Sequence, residues 1–452
     1  MQTLVDPAET PPKKREGTDV SKAAGDCPDA DSSPQPTVGG HHGRSRMPGD
    51  SATEPATDDA TDPVTDAATV SLKTSSTRGP IVQEPFRGPE TAAPTPGGTC
   101  LQLLLFAVSL YAFFVSIDLM SASFKLMGGG FAQHVLTVAS DPLAALFMGV
   151  LATSLVQSSS SISSIVVGLV AAGAIPLELA IPMIMGANIG TTVTNTIVSM
   201  GHLTRRGEFE RAFAAATVHD FFNVLAVLVL FPIEVLFHPI QQCATLLSSA
   251  LFGFAGVSMM SPLKVAVRPV TGLLETILPY GLPLLGLALA MLFVALSQMV
   301  RVMRQLVLTR IEGLFDRVLF RNDAAGFVLG WLLTSAVQSS SATTSLVVPL
   351  VGSGVLSVRR VFTYTLGANL GTTVTALLAS FATGCEIGLT VAFAHMIFNI
   401  FGTIIFYPLR ALPIGLATLV GRTAARSKRH TIYVLAGYIV LYIIPIFYVF
   451  IH

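Results

Sequence analysis

Two short polar runs stand out for their residue types and their setting. Gln157-Ser158-Ser159-Ser160 interrupts an apolar segment, and Gln338-Ser339-Ser340-Ser341 repeats it 181 positions later. Four adjacent polar residues at membrane depth are costly unless they line a cavity or bind something. Two copies point to two half-sites meeting around one ligand. Serine hydroxyls, with the unpaired N–H groups and positive dipole end of a helix, can hold an oxyanion without a fixed cation. Neither run has a Lys or Arg within its apolar segment, and a permanent cation would hold the anion too tightly to release it. Gln, Ser, Thr and Asn oxygens suit Na⁺, a hard cation. Held together in low dielectric, anion and cation stabilise each other. The pattern is therefore one of sodium-coupled anion binding and not of an enzyme. Gly352-Ser353-Gly354 and His395 superficially resemble hydrolase parts, but the G-x-S-x-G nucleophile elbow is absent. An ion channel would call for a charged ring or a carbonyl-filter sequence, and neither is present.

The segments around these runs must place them. The 15 or so apolar residues before Gln157 reach about 23 Å at 1.5 Å per residue, short of the ~20 residues a full span needs. Residues 141–174 therefore predict a re-entrant helical hairpin with its polar tip near mid-membrane, and 322–354 predict a second. Membrane spans are expected at 101–122, 179–200, 212–238, 281–303, 361–382, 390–412 and 431–451. Residues 241–280 read as a loop with a surface-lying amphipathic helix, with 244–260 as a possible extra span.

Composition agrees with a polytopic membrane protein: 51% hydrophobic, 12% charged, mean hydropathy +0.66. Residues 1–98 carry 9 Lys/Arg against 15 Asp/Glu and hold 14 of the 27 prolines. They predict a disordered cytosolic tail. No basic stretch followed by an apolar one opens the chain as a cleaved leader would, so the first membrane helix is expected to act as the targeting signal. The basic residues of the remainder sit between apolar runs, where they set orientation, and give no reason to invoke nucleic acid. The four cysteines, Cys27, Cys100, Cys243 and Cys385, lack metal-ligand spacing.

The repeat extends beyond the tips. Gly186-Ala187-Asn188-Ile189-Gly190-Thr191-Thr192-Val193-Thr194 matches Gly367-Ala368-Asn369-Leu370-Gly371-Thr372-Thr373-Val374-Thr375 at the same offset, and His219/Asn223 match His395/Asn399 at 176. Each repeat reads as hairpin, span, span, and the single linking span 281–303 inverts the second. The expected fold is thus all-α and polytopic, with two inverted repeats. The expected division is tail 1–98, first span and loop 99–140, repeat one 141–240, linker 241–321, repeat two 322–413, and basic loop with last span 414–452. By this topology Arg205/Arg206, the basic residues of 301–321, Arg359/Arg360 and 422–430 share the cytosolic face. Cys243 and Cys385 share the outer face, where a disulfide tying the repeats is geometrically allowed, and the C-terminus is extracellular.

Candidate ligands follow. Gln157–Ser160 and Gln338–Ser341 form the anion-binding core. Gln157, Ser163, Thr191, Thr192, Gln338, Thr344, Thr372, Thr373 and Asn399 supply oxygens for sodium. The Thr pairs and the amides of Asn188 and Asn369 either bind ligand or brace the tips. Gly186, Gly190, Gly367 and Gly371 allow close packing around the site. His219 and His395 read as buried hydrogen-bonding histidines, with proton sensing as the alternative. Asp220, an acid within a span, should face the bundle, as a cation ligand or in a structural role.

The QSSS runs, IPMIMGANIGTTVTNTIVSM, EFERAFAAATVHDFFNVLAVLVLFPIEV, LKVAVRPVTGLL and HMIFNIFGTIIFYP together resemble the type II sodium-dependent phosphate cotransporters over about 100–450. The resemblance implies import of inorganic phosphate with Na⁺ by alternating access at the plasma membrane; the alternatives are another oxyanion, such as sulfate or arsenate, or an ion channel. It implies no cofactor beyond the co-transported ion, and phosphate held between the two tips. It places Asn223 in a sodium site. Asp220 in Val218-His219-Asp220 is similar to the electrogenic members, which implies net inward charge. The chain departs from the animal members in lacking a large extracellular loop between 240 and 280. It also carries Arg205 where relatives often have Asp.

Overall fold

The computed structural model describes residues 96–255, 261–319 and 322–451; the predicted tail lies outside them. Every regular element among these residues is helical, and fifteen are α-helices. Five are long and apolar enough to cross a membrane: Gly98–Gly128, Arg206–Phe237, Gly281–Val307, Glu386–Phe406 and Lys428–Val449. A sixth span results if Gly130–Val138 and Pro142–Val156, bent by 93° at a short break, count as one.

Helix α1 (Pro96–Val138) runs past the predicted end of its span and kinks at Gly128, whose φ of 69° only glycine adopts readily. The first QSSS joins α2 (Pro142–Val156) to α3 (Ser159–Ala171). The expected span 179–200 is not a single α-helix: α4 (Leu177–Ile189), a 3-10 turn at Gly190–Thr192 and α5 (Val193–Met200) cover it in turn. In the second half the same motif stays helical within α12 (Val358–Thr383). The difference lies just after the shared residues. Asn195 and Thr196 follow in the first half, Ala376 and Leu377 in the second, and the latter pair are better helix formers.

Helix α6 (Arg206–Phe237) is followed by α7 (Pro239–Ala255), whose first turn is capped by Glu234 accepting from Ile240 N at 2.7 Å and Gln241 N at 3.0 Å. At 17 residues α7 is not among the helices long enough to cross. Helix α8 (Ser261–Ile277) is amphipathic, as the sequence indicated, and receives the Tyr111 hydroxyl on Ala266 O at 2.9 Å. Helix α9 (Gly281–Leu319) carries Arg301 and Arg304 on its surface, so they extend a helix and do not form a loop.

The second QSSS joins α10 (Asp323–Val337) to α11 (Ser340–Gly352). After α12 come α13 (Glu386–Phe406), α14 (Ala411–Ala425) and α15 (Lys428–Ile451). Helix α14 was not anticipated. It packs on α6, where Gly421 is so close that an added methyl would come 2.6 Å from Glu210 O. Arg422 therefore sits in the last turn of a helix and pairs with Glu210 at 3.4 Å.

Contacts of charged side chains gather at two ends. At one, Arg422 meets Glu210, and Arg410 and Arg359 approach Asp323 at 2.6 and 3.9 Å. At the other, Gln241 donates to Glu178 at 3.1 Å and Ser249 to Glu386 at 2.6 Å. Between them Leu104, Leu228, Val294, Ile404 and Ile432 are all at least 60% exposed, which hydrocarbon tolerates and water would not. Cys243 is a free thiol, so the pairing with Cys385 is not formed.

Candidate functional site

Both polar runs are the same piece of structure. Gln157 ends α2 in the left-handed region (φ 58°, ψ 27°), and Gln338 ends α10 likewise (φ 61°, ψ 23°). A non-glycine residue there is uncommon and reverses the chain without a loop. Each Gln N–H closes its helix on a Thr carbonyl, Thr153 or Thr334, at 2.7 Å. Each Gln side-chain amide donates to a carbonyl of that last turn, Ser154 or Ser335. The next residue is an N-cap: Ser158 Oγ accepts from Ser161 N at 3.2 Å, and Ser339 Oγ from Ala342 N at 3.3 Å. The N–H of Ile162 and Thr343 go to Ser158 O and Ser339 O. The first-turn donors of Ser159 and Ser160, and of Ser340 and Ser341, are those that helix geometry leaves over for a ligand.

A threonine from the same half fixes each glutamine. Thr194 Oγ1 donates to Gln157 Oε1 at 3.1 Å, and Thr375 Oγ1 to Gln338 Oε1 at 2.7 Å. The two tips touch. Ser160 Oγ donates to Gln338 O at 3.2 Å, and Thr375 Oγ1 lies 3.3 Å from Ser160 Oγ. Ser159, Ser160, Gln338 and Ser340 are buried, while Gln157, Ser158, Ser339 and Ser341 are partly accessible.

The glycines make this approach possible. A methyl on Gly186 would strike Leu146 O, and one on Gly367 would strike Phe327 O. At Gly190 and Gly371 it would come 2.7 Å from the Cβ of Thr153 and Thr334. Helices α2 and α4, and α10 and α12, therefore pack backbone to backbone, with the same two contacts in each half.

A second layer crosses between the halves. His219 Nε2 meets Asn369 Oδ1 at 3.0 Å, and His395 Nε2 meets Asn188 Oδ1 at 3.4 Å. Asn369 Nδ2 donates to Asn223 Oδ1 at 2.7 Å, and Asn223 Nδ2 to Asn188 O at 2.8 Å. Since the amide nitrogens of both asparagines are already committed, each histidine donates from Nε2. The reading of His219 and His395 as buried hydrogen-bonding residues matches this arrangement.

The remaining candidates divide. Thr344 is joined to Asn195 across the halves at 2.9 Å. Ser163 and Asn399 are buried, and Ser163 Oγ and Asn399 Oδ1 lack a partner among the described residues. Asp220 is buried beside His219. Thr191, Thr372 and Thr373 turn back onto backbone carbonyls of the preceding turn (Ala187, Ala368, Leu370) at 2.7–3.1 Å. The side chain of Thr192 lies outside the described residues. Three residues were not singled out from sequence. Thr194 and Thr375 close the repeated Gly-Thr-Thr-Val-Thr motif, which was signal enough. Asn195 has Ala376 as its counterpart and gave none. Among the described residues no group of three His, Cys, Asp or Glu side chains is placed to hold a metal. The donors are neutral oxygens and N–H groups.

The Na⁺/Pi-cotransporter family model matches residues 112–262 and 291–421, which include both tips, both glycine motifs and both histidines. The chain is similar to sodium-dependent phosphate transport protein 2A of Ovis aries, 33% identical over 74% of this chain and 65% of that protein. It is also similar to the 2A protein of Rattus norvegicus, 33% identical with the same coverage. The 2B protein of Homo sapiens is 31% identical over 76% of this chain and 64% of its own length. The chain thus spans just under two thirds of these relatives. No solved structure matches. With the family's pattern covering both halves of the site, the chain belongs to the Na⁺/Pi-cotransporter family.

Proposed function

We propose that this protein imports inorganic phosphate across the plasma membrane, driven by Na⁺, with phosphate bound where the two QSSS tips meet. The single observation that carries the reading is the contact of Ser160 in the first tip with Gln338 in the second. Two helix N-termini, each with free first-turn N–H groups and serine hydroxyls, then address one point. A phosphate dianion would accept these donors without a fixed positive charge. Na⁺ would be held by oxygens of Gln157, Ser163, Gln338, Thr344 and Asn399, with Asp220 and Asn223 nearby. The names of the relatives support both solutes.

In this reading α2–α3 and α10–α11 are re-entrant hairpins entering from opposite faces, and α2–α6 and α10–α13 form inverted repeats. The contacts supporting it are those of the helix ends. The C-terminus of α11 lies against Arg211 near the basic cluster, whereas the segment after α3 leads to Glu178 and Gln241 at the other end. The basic end is cytosolic by the positive-inside rule, which puts the N-terminal tail in the cytosol. Alternating access then consists of opening one hairpin or the other to water while the tips keep the ligand between them.

The test is uptake of radiolabelled phosphate into proteoliposomes with sodium or choline outside. Saturable uptake that requires sodium and is competed by arsenate but not sulfate is expected. Equal uptake in choline, or flux that does not saturate, would sink the reading; competition by sulfate alone would reassign the oxyanion.

A further inference from the structure

The two tip helices differ at their far ends. The last carbonyls of α11 are gripped by a cation from α6. Gly352 O accepts from Arg211 Nη2 at 2.7 Å and Nε at 3.1 Å, and Val351 O lies 3.3 Å from Nε. Unpaired carbonyls at a helix C-terminus carry partial negative charge, so a guanidinium fork there is a matched cap. The pseudo-equivalent helix α3 closes with the same backbone, Gly173 at φ 73° for Gly354 at φ 86°. The described side-chain contact there is neutral: Ser121 Oγ, 3.4 Å from Gly168 O.

Between this grip and the tip, α11 rests on small side chains. Ala212 and Ala216 of α6 pack on Val348, and Ala215 faces the cluster of Val347 and Val351. At Gly352 the approach is tightest. An added methyl would lie 3.2 Å from Ala212 Cβ and from the His202 ring, which Glu208 holds at 3.1 Å. The seam is built of alanines against valines, without large interlocking side chains. The polar contact of this seam among the described residues is the Arg211 grip at its end.

We propose that Arg211 is a positioning residue for the transport cycle: its grip on α11 keeps the α6–α11 seam shut toward the basic face, and its release opens the second tip to that side. The proposal rests on the transport reading above and adds which residue gates which face. Arg211 acts through α11, whose N-terminus carries Ser340 and Ser341, and it touches neither solute.

The test places one cysteine in each seam, Val348→Cys beside α6 and its repeat counterpart Val167→Cys, both buried. Labelling by a membrane-impermeant maleimide is measured from each face of proteoliposomes, read by mass on the peptide carrying the new cysteine. Arg211→Met should speed labelling at 348 from the basic face about tenfold, equivalent to ~1.4 kcal/mol. Arg211→Lys, which keeps a cation and donors, should fall between, and Val167→Cys should not speed up from the other face. Unchanged labelling at 348 would overturn the proposal, as would equal acceleration at both positions, which marks a loosened bundle. If the Met variant does not insert, Arg211→Gln, with one short donor, must rank beyond Lys or the proposal fails. The readout needs neither sodium nor phosphate. A wild type without phosphate uptake would therefore sink the transport reading and leave this measurement standing.

Discussion

Thr375 and Thr194 occupy matching positions, yet the structure gives them unequal work. Thr375 Oγ1 sits 2.7 Å from Gln338 Oε1 and 3.3 Å from Ser160 Oγ, so it ties its own tip to the other one. Among the described residues Thr194 donates to Gln157, at 3.1 Å, and Gln157 is partly accessible where Gln338 is 4% exposed. Removing the hydroxyl in Thr375→Val keeps the volume and strands a buried amide oxygen, a cost of ~1–3 kcal/mol. That cost should appear as a lower thermal midpoint, and phosphate KM should rise because the tie between the tips is lost, with both effects clearly smaller in Thr194→Val, where water can replace the lost donor. Equal effects in a concentration series of sodium-dependent uptake would contradict this asymmetry. At this scale the sequence was informative where chemistry was doubled. The QSSS runs, the Gly and Asn positions and the histidines could be named because 181- and 176-residue offsets repeat them. It was silent on Asn195, whose bond to Thr344 joins halves distant in sequence, and on Arg211, whose partners are backbone carbonyls that no side-chain pattern announces.

The helices meet at the site because glycines remove side chains where backbones touch. Gly186→Ala would press a methyl onto Leu146 O, and Gly367→Ala onto Phe327 O. Overpacking of this kind costs ~1–3 kcal/mol. Each variant should lower the midpoint of thermal unfolding in detergent, while Gly437→Ala, in open space on α15, should leave it unchanged. A neutral Gly186→Ala would mean that α2 and α4 are not in backbone contact. Element boundaries were the least legible feature. The polar runs marked the helix breaks, because four polar residues in a short apolar segment are a local signal. Periodicity did not foresee the 3-10 turn at Gly190–Thr192 or helix α14. The first depends on two weak helix formers after a shared motif. The second depends on packing against α6 through Gly421, a contact between residues about 210 positions apart in the chain.

For the whole molecule, the proposal joins a neutral site to a membrane potential. Each net charge carried inward adds about 2.3 kcal/mol of driving force per 100 mV. In the proposed cycle Asp220, buried in the helix that carries His219, would be the acid that balances an extra Na⁺. Asp220→Gly should therefore abolish phosphate-evoked current in voltage clamp while sodium-dependent uptake continues. Persistent current would remove Asp220 from the charge balance. Composition made the membrane class legible from the start. What it left out was how the halves engage, since contacts such as Ser160 with Gln338 exist only once both repeats are folded together. The measurement that tests the central claim most directly is phosphate binding to the purified protein by titration calorimetry, in sodium and in choline, for wild type, Ser159→Ala and Ser340→Ala. The account predicts one phosphate per chain, bound only in sodium, with either substitution weakening that same site. Two phosphates per chain, each variant losing one and keeping the other, would contradict it.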